Sequence, residues 1–259
     1  DARPYCELIR RWFNLHPEFS WLPGKFKIAI NGAKLDETAL RIHDLGLRLI
    51  RNSQGQLGFT VFVGGGLGAA AMIAAETASF IEVEDILSYL ESTMRVYNLK
   101  GRRDHQKKLR IKFLVRELGA EEFSRLVDED WQQTKNDSKL KLNLVELEQL
   151  KKDFSLPIKP IDLGSFEEKV DFNYSIWKKN NVRSHKIDGF SIVNISLTKL
   201  GAAPGDATSE QMRILADLAE KYSVGELRTT KRQTIVFPYV RKDQIFNLWQ
   251  SLEKYGLAS

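Results

Sequence analysis

The chain contains a single cysteine, Cys6. An internal disulfide needs two thiols, so none can form, and the reducing cytoplasm is the expected location. An iron–sulfur cluster usually takes four cysteine thiolates, which one thiol cannot supply. We therefore expect no cluster and no metal ligands in this chain by itself.

Long apolar runs are missing as well. No stretch reaches the roughly eighteen consecutive apolar residues that indicate a membrane-spanning helix. The N-terminal stretch DARPYCELIRRW contains no apolar core of a signal peptide. We expect no membrane partner.

Several catalytic and binding motifs are also missing. The glycine run at 64–66 lacks the following Gly-Lys-Ser/Thr of a phosphate-binding loop and the spacing of a dinucleotide fingerprint. His16, His43, His105 and His185 show no metal-ligand spacing. No serine has the context of a nucleophile elbow. These absences exclude the common nucleotide, zinc and hydrolase signatures.

What the chain has is ordinary core-forming content and excess positive charge. Its 259 residues are 42% apolar, enough for one large domain or two smaller ones. The net charge of +5 indicates an anionic partner such as nucleic acid, phosphate or a polycarboxylate cofactor. A solvated basic surface is the alternative.

Two regions of regular pattern are separated by a weaker one at 136–188. In the first region, β-branched and aromatic runs predict strands, and apolar spacing predicts helices. The weak segment is interpreted as a connection with one short helix. The first region is predicted to contain strands over 25–32 and 57–65 and helices over 38–50, 83–101, 107–119 and 120–133.

The second region, 189–259, has the pattern β-α-β-β-α. Thr208 and Gln211 stand in the relation of a capping box at the start of its first helix. Such a half-module leaves sheet edges open. We expect the strand at 233–240 to be available for pairing with another segment or a second copy of the chain.

Lys25 and Lys27 lie two residues apart on a predicted strand. Side chains alternate along a strand, so both ammonium groups are expected on one face, where an anion would relieve their repulsion. Two solubilising lysines on an exposed strand are the alternative interpretation.

The segment 98–113 carries seven basic residues besides His105 at a helix exit and a new helix start. Guanidinium groups and free backbone N–H groups can bind an anion there. Nucleic acid is the competing ligand, but no aromatic residues alternate with the charges, so nucleic-acid binding is not expected.

Four segments of the chain form a recognisable series. They are, in order, LPGKFKIAI, GFTVFVGGGLG, YNLKGRRDHQKKLRIKFLVRELGAEEF and ELRTTKRQTIVF. The same order occurs in assimilatory siroheme sulfite and nitrite reductases, and the chain resembles that family over nearly its whole length. It resembles the bacterial sulfite reductase haemoprotein type most closely.

The resemblance implies an α+β fold, with a mixed sheet-and-helix siroheme-type domain followed by a ferredoxin-like β-α-β-β-α half-domain. It implies a siroheme/4Fe-4S-type reductase domain at 1–135, a connecting segment at 136–188 and the half-domain at 189–259. It also implies siroheme and a 4Fe-4S cluster in the complete enzyme.

The resemblance further implies the site residues. Lys25 and Lys27 occupy the positions of the family's two distal-pocket lysines, which bind the substrate anion and supply protons. The glycine run lets backbone approach the cofactor. The cofactor-binding residues implied are Gly64, Gly65, Gly66, Arg102, Arg103, Lys107 and Arg110.

The expected activity is six-electron reduction of sulfite to sulfide, with an electron-donor protein or flavoprotein as partner. Reduction of nitrite to ammonia and a non-catalytic fragment without redox centres are the alternatives. Gly24 and Ala69–Ala71 stand where the family usually has basic or polar residues. The family's first half-domain and its cysteine-bearing cluster segment are expected as further partners.

Overall fold

The computed structural model describes residues 1–36, 38–68, 70–166, 169–198 and 203–259. The chain divides into two compact units, Asp1–Ser155 and Leu156–Ser259. The division falls inside the segment that the sequence pattern assigns to a connection. Among the described residues, no helix is both long and apolar enough to cross a membrane.

The first unit contains a four-stranded sheet in the order β1-β2-β3-β4. β1 pairs with β2 in parallel, and the other two pairs are antiparallel. In β3, Phe59, Val61 and Val63 are all fully buried, so this strand is at the centre of the core. The strands are β1 Ile28–Asn31, β2 Leu45–Arg51, β3 Leu57–Val63 and β4 Ala75–Glu82.

Helices cover this sheet and complete one hydrophobic core. In α2, Ile86, Leu90 and Tyr97 are buried along one stripe, as the apolar spacing predicts. Gly119 separates α3 from α4 with a φ of 83°. The helices of this unit are α1 Arg3–Leu15, α2 Ile86–Lys100, α3 Ile111–Leu118, α4 Ala120–Thr134 and α5 Leu144–Asp153, with short 3-10 turns at Pro17–Trp21, Leu40–Ile42, Val83–Asp85, Gln106–Lys108 and Ser138–Leu140.

The helix predicted over 38–50 is wrong. Only Leu40–Ile42 is helical, as one 3-10 turn, and the segment from Leu45 onward is β2. Leu45, Leu47 and Leu49 alternate, so the leucines fit a strand as well as a helix face. The segment is a strand because its backbone pairs with β1 on one side and with β3 on the other.

The predicted connection at 136–188 has more structure than one short helix. α5 begins after Asn143, whose side chain accepts hydrogen bonds from two backbone N–H groups. α6, Phe172–Asn181, begins after Asp171, whose carboxylate caps the Tyr174 N–H group. Each cap satisfies free backbone N–H groups at the start of a helix. The spacing of apolar residues alone does not indicate these helix starts.

The second unit contains the expected β-α-β-β-α order. Thr208 and Gln211 form the predicted capping box, with both reciprocal hydrogen bonds present. The elements are β5 Val182–Ser184, β6 Phe190–Ser196, α7 Ser209–Tyr222, β7 Arg228–Thr229, β8 Thr234–Arg241 and α8 Ile245–Lys254, with a 3-10 turn at Lys242–Gln244.

The sheet of this unit has the order β5-β6-β8-β7 with antiparallel pairs. β8 therefore lies between β6 and β7, and the expectation of an open edge is wrong for Ile235 and Val236, the two residues with which β7 pairs. Its residues Phe237 and Val240 are fully buried in the core of the unit. The edge strands are β5 and β7.

Candidate anion and cofactor site

Lys25 and Lys27 lie directly before β1 rather than inside it. Both residues are exposed, whereas Phe26 between them packs against the core. The Phe26 ring lies 6.2 Å from that of Phe13 and 5.7 Å from that of Tyr97, measured between centroids. Exposure therefore alternates along this segment, with the phenyl ring inward and the two lysines on the solvent side.

Asp44 is the centre of the contacts around Lys27. Its carboxylate is completely buried and accepts two hydrogen bonds from Arg110, at 2.9 and 2.7 Å. The same carboxylate accepts the backbone N–H of Lys27 at 3.0 Å. The Asp44 carbonyl oxygen accepts the N–H of Gly64 at 2.9 Å. One buried residue thus joins the lysine segment and the basic segment through its side chain and the glycine run through its backbone.

The glycine run is crowded by the chain's own atoms. A Cβ on Gly65 would lie 2.4 Å from the Arg41 carbonyl oxygen and 2.5 Å from that of His43. Gly64 has a φ of 93°, a backbone angle that residues with a side chain rarely adopt, and its α-carbon faces Val115. Tight folding of this loop against its neighbours accounts for these two glycines, and approach of backbone to a cofactor stays a prediction.

Lys112 holds the next part of the loop. This lysine is only 4% exposed, and its Nζ donates to the carbonyl oxygens of Leu67 at 3.1 Å and Ala70 at 2.7 Å. Burial, with the nearby Arg110 charge, lowers the pKa of the Lys112 ammonium group. Sequence analysis did not single out this residue. Its position on the apolar face of α3 was the available signal.

The loop is closed by reciprocal hydrogen bonds between Gly66 and Met72, at 2.9 and 2.8 Å. A Cβ on Gly66 would lie 3.0 Å from the Lys112 side chain and 3.3 Å from Arg110. Ala69, one of the three alanines noted in the sequence, lies outside the described residues. The cations of α3 and its N-cap therefore pack directly on the glycine loop.

The remaining predicted basic residues have other contacts. Arg102 forms an ion pair with Asp104 at 2.7 Å, and Arg103 donates to the side chain and backbone of Asn98. Lys107 is exposed in a 3-10 turn. Within the described residues, no hydrogen bond or ion pair links these three cations to Asp44. Of the predicted cofactor residues, the structure brings together the glycine run and Arg110.

Gly24 stands at a position where the family that the sequence resembles usually has a basic residue. A Cβ at this position would lie 2.9 Å from the Cβ of Leu109. Ordinary side chains do not approach that closely, so a larger residue would displace the segment that contains Lys25. Close packing against Leu109 accounts for the glycine.

A comparison with protein families shows to which family the chain belongs. Residues 1–135, more than half of the chain, match the nitrite and sulphite reductase 4Fe-4S domain. The chain belongs to the nitrite and sulphite reductase family. Residues 194–255 match the family's ferredoxin-like half domain. The resemblance and the α+β fold inferred from the sequence are both confirmed.

Individual relatives agree with the match. The chain is 25% identical over 255 residues to a chloroplastic ferredoxin–nitrite reductase of Arabidopsis thaliana, covering 96% of this chain and 38% of that protein. It is 24% identical to sulfite reductase [ferredoxin] 1 of Mycolicibacterium paratuberculosis, covering 98% of this chain and 39% of that protein. The chain thus spans about two fifths of the length of these relatives.

A solved structure shows the same fold. The Mycobacterium tuberculosis NirA protein superposes with a TM-score of 0.65 at 21% identity, covering 98% of this chain and 40% of that chain. The likeness covers both units, so the α+β arrangement within each one is that of a known structure.

The two cofactors of this siroheme- and 4Fe-4S-dependent family fit the chain differently. Siroheme is a polycarboxylate, and the exposed Lys107 together with Arg110 beside the glycine loop are suitable donors for carboxylates. The cluster does not fit, because Cys6 is the single thiol. Among the described residues, no group of three or more His, Cys, Asp or Glu side chains could hold a metal ion.

Proposed function

We propose that the chain forms part of a siroheme-dependent sulfite reductase that reduces sulfite to sulfide with six electrons. The observation that carries this proposal is the set of contacts that Asp44 makes with Arg110, Lys27 and Gly64, here called the Asp44 assembly. It fixes the backbone of Lys27 beside the ion pair of the half-buried Arg110 with the buried Asp44 and beside the glycine loop, while leaving the lysine side chain exposed. A small oxyanion needs such cations on a rigid support.

Lys25 and Lys27 are assigned to the substrate. Their ammonium groups bind the oxyanion through charge-assisted hydrogen bonds and donate protons to the oxygen atoms that leave as water. One hydrogensulfite ion, six electrons and six protons give one hydrosulfide ion and three water molecules. Because the reaction consumes six protons, we assign two neighbouring proton donors, the ammonium groups of Lys25 and Lys27, to the anion.

The cofactor is assigned to the basic segment and the glycine loop. Siroheme supplies the iron centre at which the anion is reduced when it is bound. Arg102, Arg103, Lys107 and Arg110 would contact its carboxylates, and Gly64–Gly66 would place backbone beside it. The cluster ligands must come from cysteines other than Cys6.

In this proposal the reductase domain comprises 1–135, the connection 136–188 and the half-domain 189–259. The electron donor is a ferredoxin or a flavoprotein, in keeping with relatives named as ferredoxin- or NADPH-dependent sulfite reductases. The single thiol suits a reducing compartment such as the cytoplasm.

Nitrite reduction to ammonia is the second candidate, because a chloroplastic ferredoxin–nitrite reductase matches the chain over nearly the same length. Nitrite is also a small oxyanion, so the lysines would serve either substrate. The ratio of kcat/KM for sulfite to that for nitrite separates the two functions.

The test uses the protein that carries this chain, purified from the cells that make it. Reduced methyl viologen supplies electrons, and sulfide and ammonia are measured separately. We expect siroheme absorption and production of sulfide. Lys27→Ala should lower kcat/KM for sulfite by about a hundredfold or more, because an oxyanion donor is lost from the transition state.

Lys34→Ala is the matched control, since Lys34 is another exposed lysine of the same unit. It should leave kcat/KM unchanged. The siroheme content of Lys27→Ala should equal that of the unsubstituted protein. A preparation that reduces neither anion, or equal loss of activity in both variants, contradicts the assignment.

A further inference from the structure

Arg41 is a cation beside the glycine loop that the assignments above do not use. It belongs to the 3-10 turn Leu40–Ile42 and is bound twice to Ala74, the residue directly before β4. The Ala74 N–H group donates to the Arg41 carbonyl oxygen at 2.8 Å, and the Arg41 Nε–H group donates to the Ala74 carbonyl oxygen at 2.9 Å. Both the backbone and the side chain of this arginine are therefore fixed.

The ring of Phe62 provides a further contact for the Arg41 guanidinium. The Cζ atom lies over this ring, 5.6 Å from its centre, and a cation within about 6 Å of an aromatic ring centre is attracted to the ring face. Phe62 lies on β3, two residues before Gly64, where the glycine run begins. The guanidinium is thus oriented by the chain itself, which lowers the entropic cost of binding an anion.

The charge of Arg41 has no acidic partner among the described residues. Its one described side-chain hydrogen bond goes to a neutral carbonyl oxygen, so both Nη groups are available, and the residue is exposed. Arg102, in contrast, forms an ion pair with Asp104. Arg110 forms one with Asp44. Of these three guanidinium groups, Arg41 is the one whose charge is left for a ligand.

The position of Arg41 relates this charge to the site described above. A Cβ on Gly65 would lie 2.4 Å from the Arg41 carbonyl oxygen, so the 3-10 turn packs directly on the glycine loop. Asp44, three residues later in the chain, binds the backbone of Lys27. Arg41 therefore lies next to the loop that is assigned to the cofactor, on the same segment as the residue that holds the substrate lysine.

We propose that Arg41 binds a carboxylate of the polycarboxylate cofactor. This inference rests on the proposed function, in which siroheme is assigned to the glycine loop. Arginine keeps its proton at physiological pH, so Arg41 does not supply the protons that sulfite reduction consumes. Its two Nη groups match the two oxygen atoms of a carboxylate, a ligand whose negative charge is permanent. Proton donation stays with Lys25 and Lys27.

Release of siroheme from the purified protein that carries this chain tests the proposal. In Arg41→Gln, the side-chain amide nitrogen takes the place of Nε and can still donate to Ala74, while the Nη groups and the charge are removed. We expect siroheme absorption to be lost about tenfold faster or more, because charge-assisted hydrogen bonds are missing. Sodium chloride should accelerate release from the unsubstituted protein more than from the variant, since salt screens a charge that the variant lacks.

Arg48→Gln is the matched control. Arg48 is another exposed arginine of the same unit, and its described side-chain hydrogen bond also goes to a backbone carbonyl oxygen, that of Lys34. This variant should release siroheme at the unsubstituted rate and with the unsubstituted salt dependence. Far-ultraviolet circular dichroism should be the same for all three proteins.

The possible failures of the two proposals differ. Equal release from Arg41→Gln and the unsubstituted protein, equal acceleration in both variants, or an unchanged salt dependence in Arg41→Gln overturns the role of Arg41 and leaves the proposed function intact. An unsubstituted protein that contains no siroheme overturns the proposed function, and this inference with it.

Discussion

Asp44 shows how one buried side chain organises a site whose functional groups are exposed. A buried carboxylate is stabilised only when charge and hydrogen bonds compensate for its lost hydration, and Arg110 and the Lys27 N–H group provide them. Replacing Asp44 would leave the guanidinium without its partner. The position of Lys27 thus depends on residues distant in sequence.

Lys112 provides the first residue-scale prediction. Lys112→Met keeps the length of the side chain but removes the donor to the Leu67 and Ala70 carbonyl oxygens. We expect a loss of about 1–3 kcal/mol in the free energy of unfolding, because two acceptors lose their partner. Hydrogen exchange of the Gly66 and Met72 amides should accelerate.

Lys108→Met is the control for that measurement, since Lys108 is exposed and four residues earlier. Its amide exchange around the loop should match the unsubstituted protein. Unchanged exchange in Lys112→Met would show that the reciprocal hydrogen bonds of Gly66 and Met72 close the loop without the lysine.

Gly65→Ala is the second prediction. The added methyl group would lie within 2.5 Å of two carbonyl oxygens, which belong to backbone and cannot rotate away. We expect destabilisation of about 1–3 kcal/mol by urea denaturation. Gly32→Ala, with its nearest atom at 3.2 Å, should cost less, and the reverse order would contradict the crowding argument.

His185 gives a prediction for pH. Burial lowers its pKa below 6.5, and the Ile187 N–H group donates to its Nδ1 at 3.0 Å. The unfolded chain therefore binds the proton more readily, so stability falls as pH decreases from 6.5 through the folded pKa. Thermal unfolding between pH 7.5 and 5.5 should show a smaller decrease for His185→Gln than for the unsubstituted protein.

At the scale of elements, the end of α7 departs from the usual chemistry of a helix terminus. Val224 has a φ of 48°, in the left-handed region that β-branched residues avoid. The next N–H group, of Gly225, donates back to the Ala219 carbonyl oxygen at 3.0 Å, which closes the helix. Glycine is the residue that this position favours.

Val224→Gly should therefore stabilise the chain by about 1 kcal/mol, measured by urea denaturation, because the steric cost of the left-handed backbone is removed. Val224→Ala separates this cost from the effect of the branched side chain and should give a smaller gain. Destabilisation in Val224→Gly would show that the valine side chain contributes packing despite being 53% exposed.

At the scale of the whole molecule, the described residues form two hydrophobic cores. One is formed by residues between Tyr5 and Leu150, and the other by residues between Tyr174 and Leu257. No buried residue is shared between these two clusters. Each unit therefore has the apolar interior that independent folding requires.

Separate production of 1–155 and 156–259 tests this inference. We expect each piece to unfold cooperatively and the sum of their far-ultraviolet circular dichroism spectra to match that of the chain. The second piece is the more informative case, because its strand β8 has β6 as a neighbour along most of its length and β7 at Ile235 and Val236. An unfolded second piece would restore the expectation that it requires a pairing partner.

The sequence by itself determined the family, the α+β class, the α7 capping box and most helices of the first unit, because motifs and periodic apolar residues are local. Only the tertiary structure decided that Leu45–Arg51 is a strand, since two neighbouring strands override an ambiguous pattern of leucines. It also revealed Asp44 and Lys112, whose importance comes from burial among residues far apart in the chain. Burial and partner geometry are non-local properties, which a linear motif does not contain.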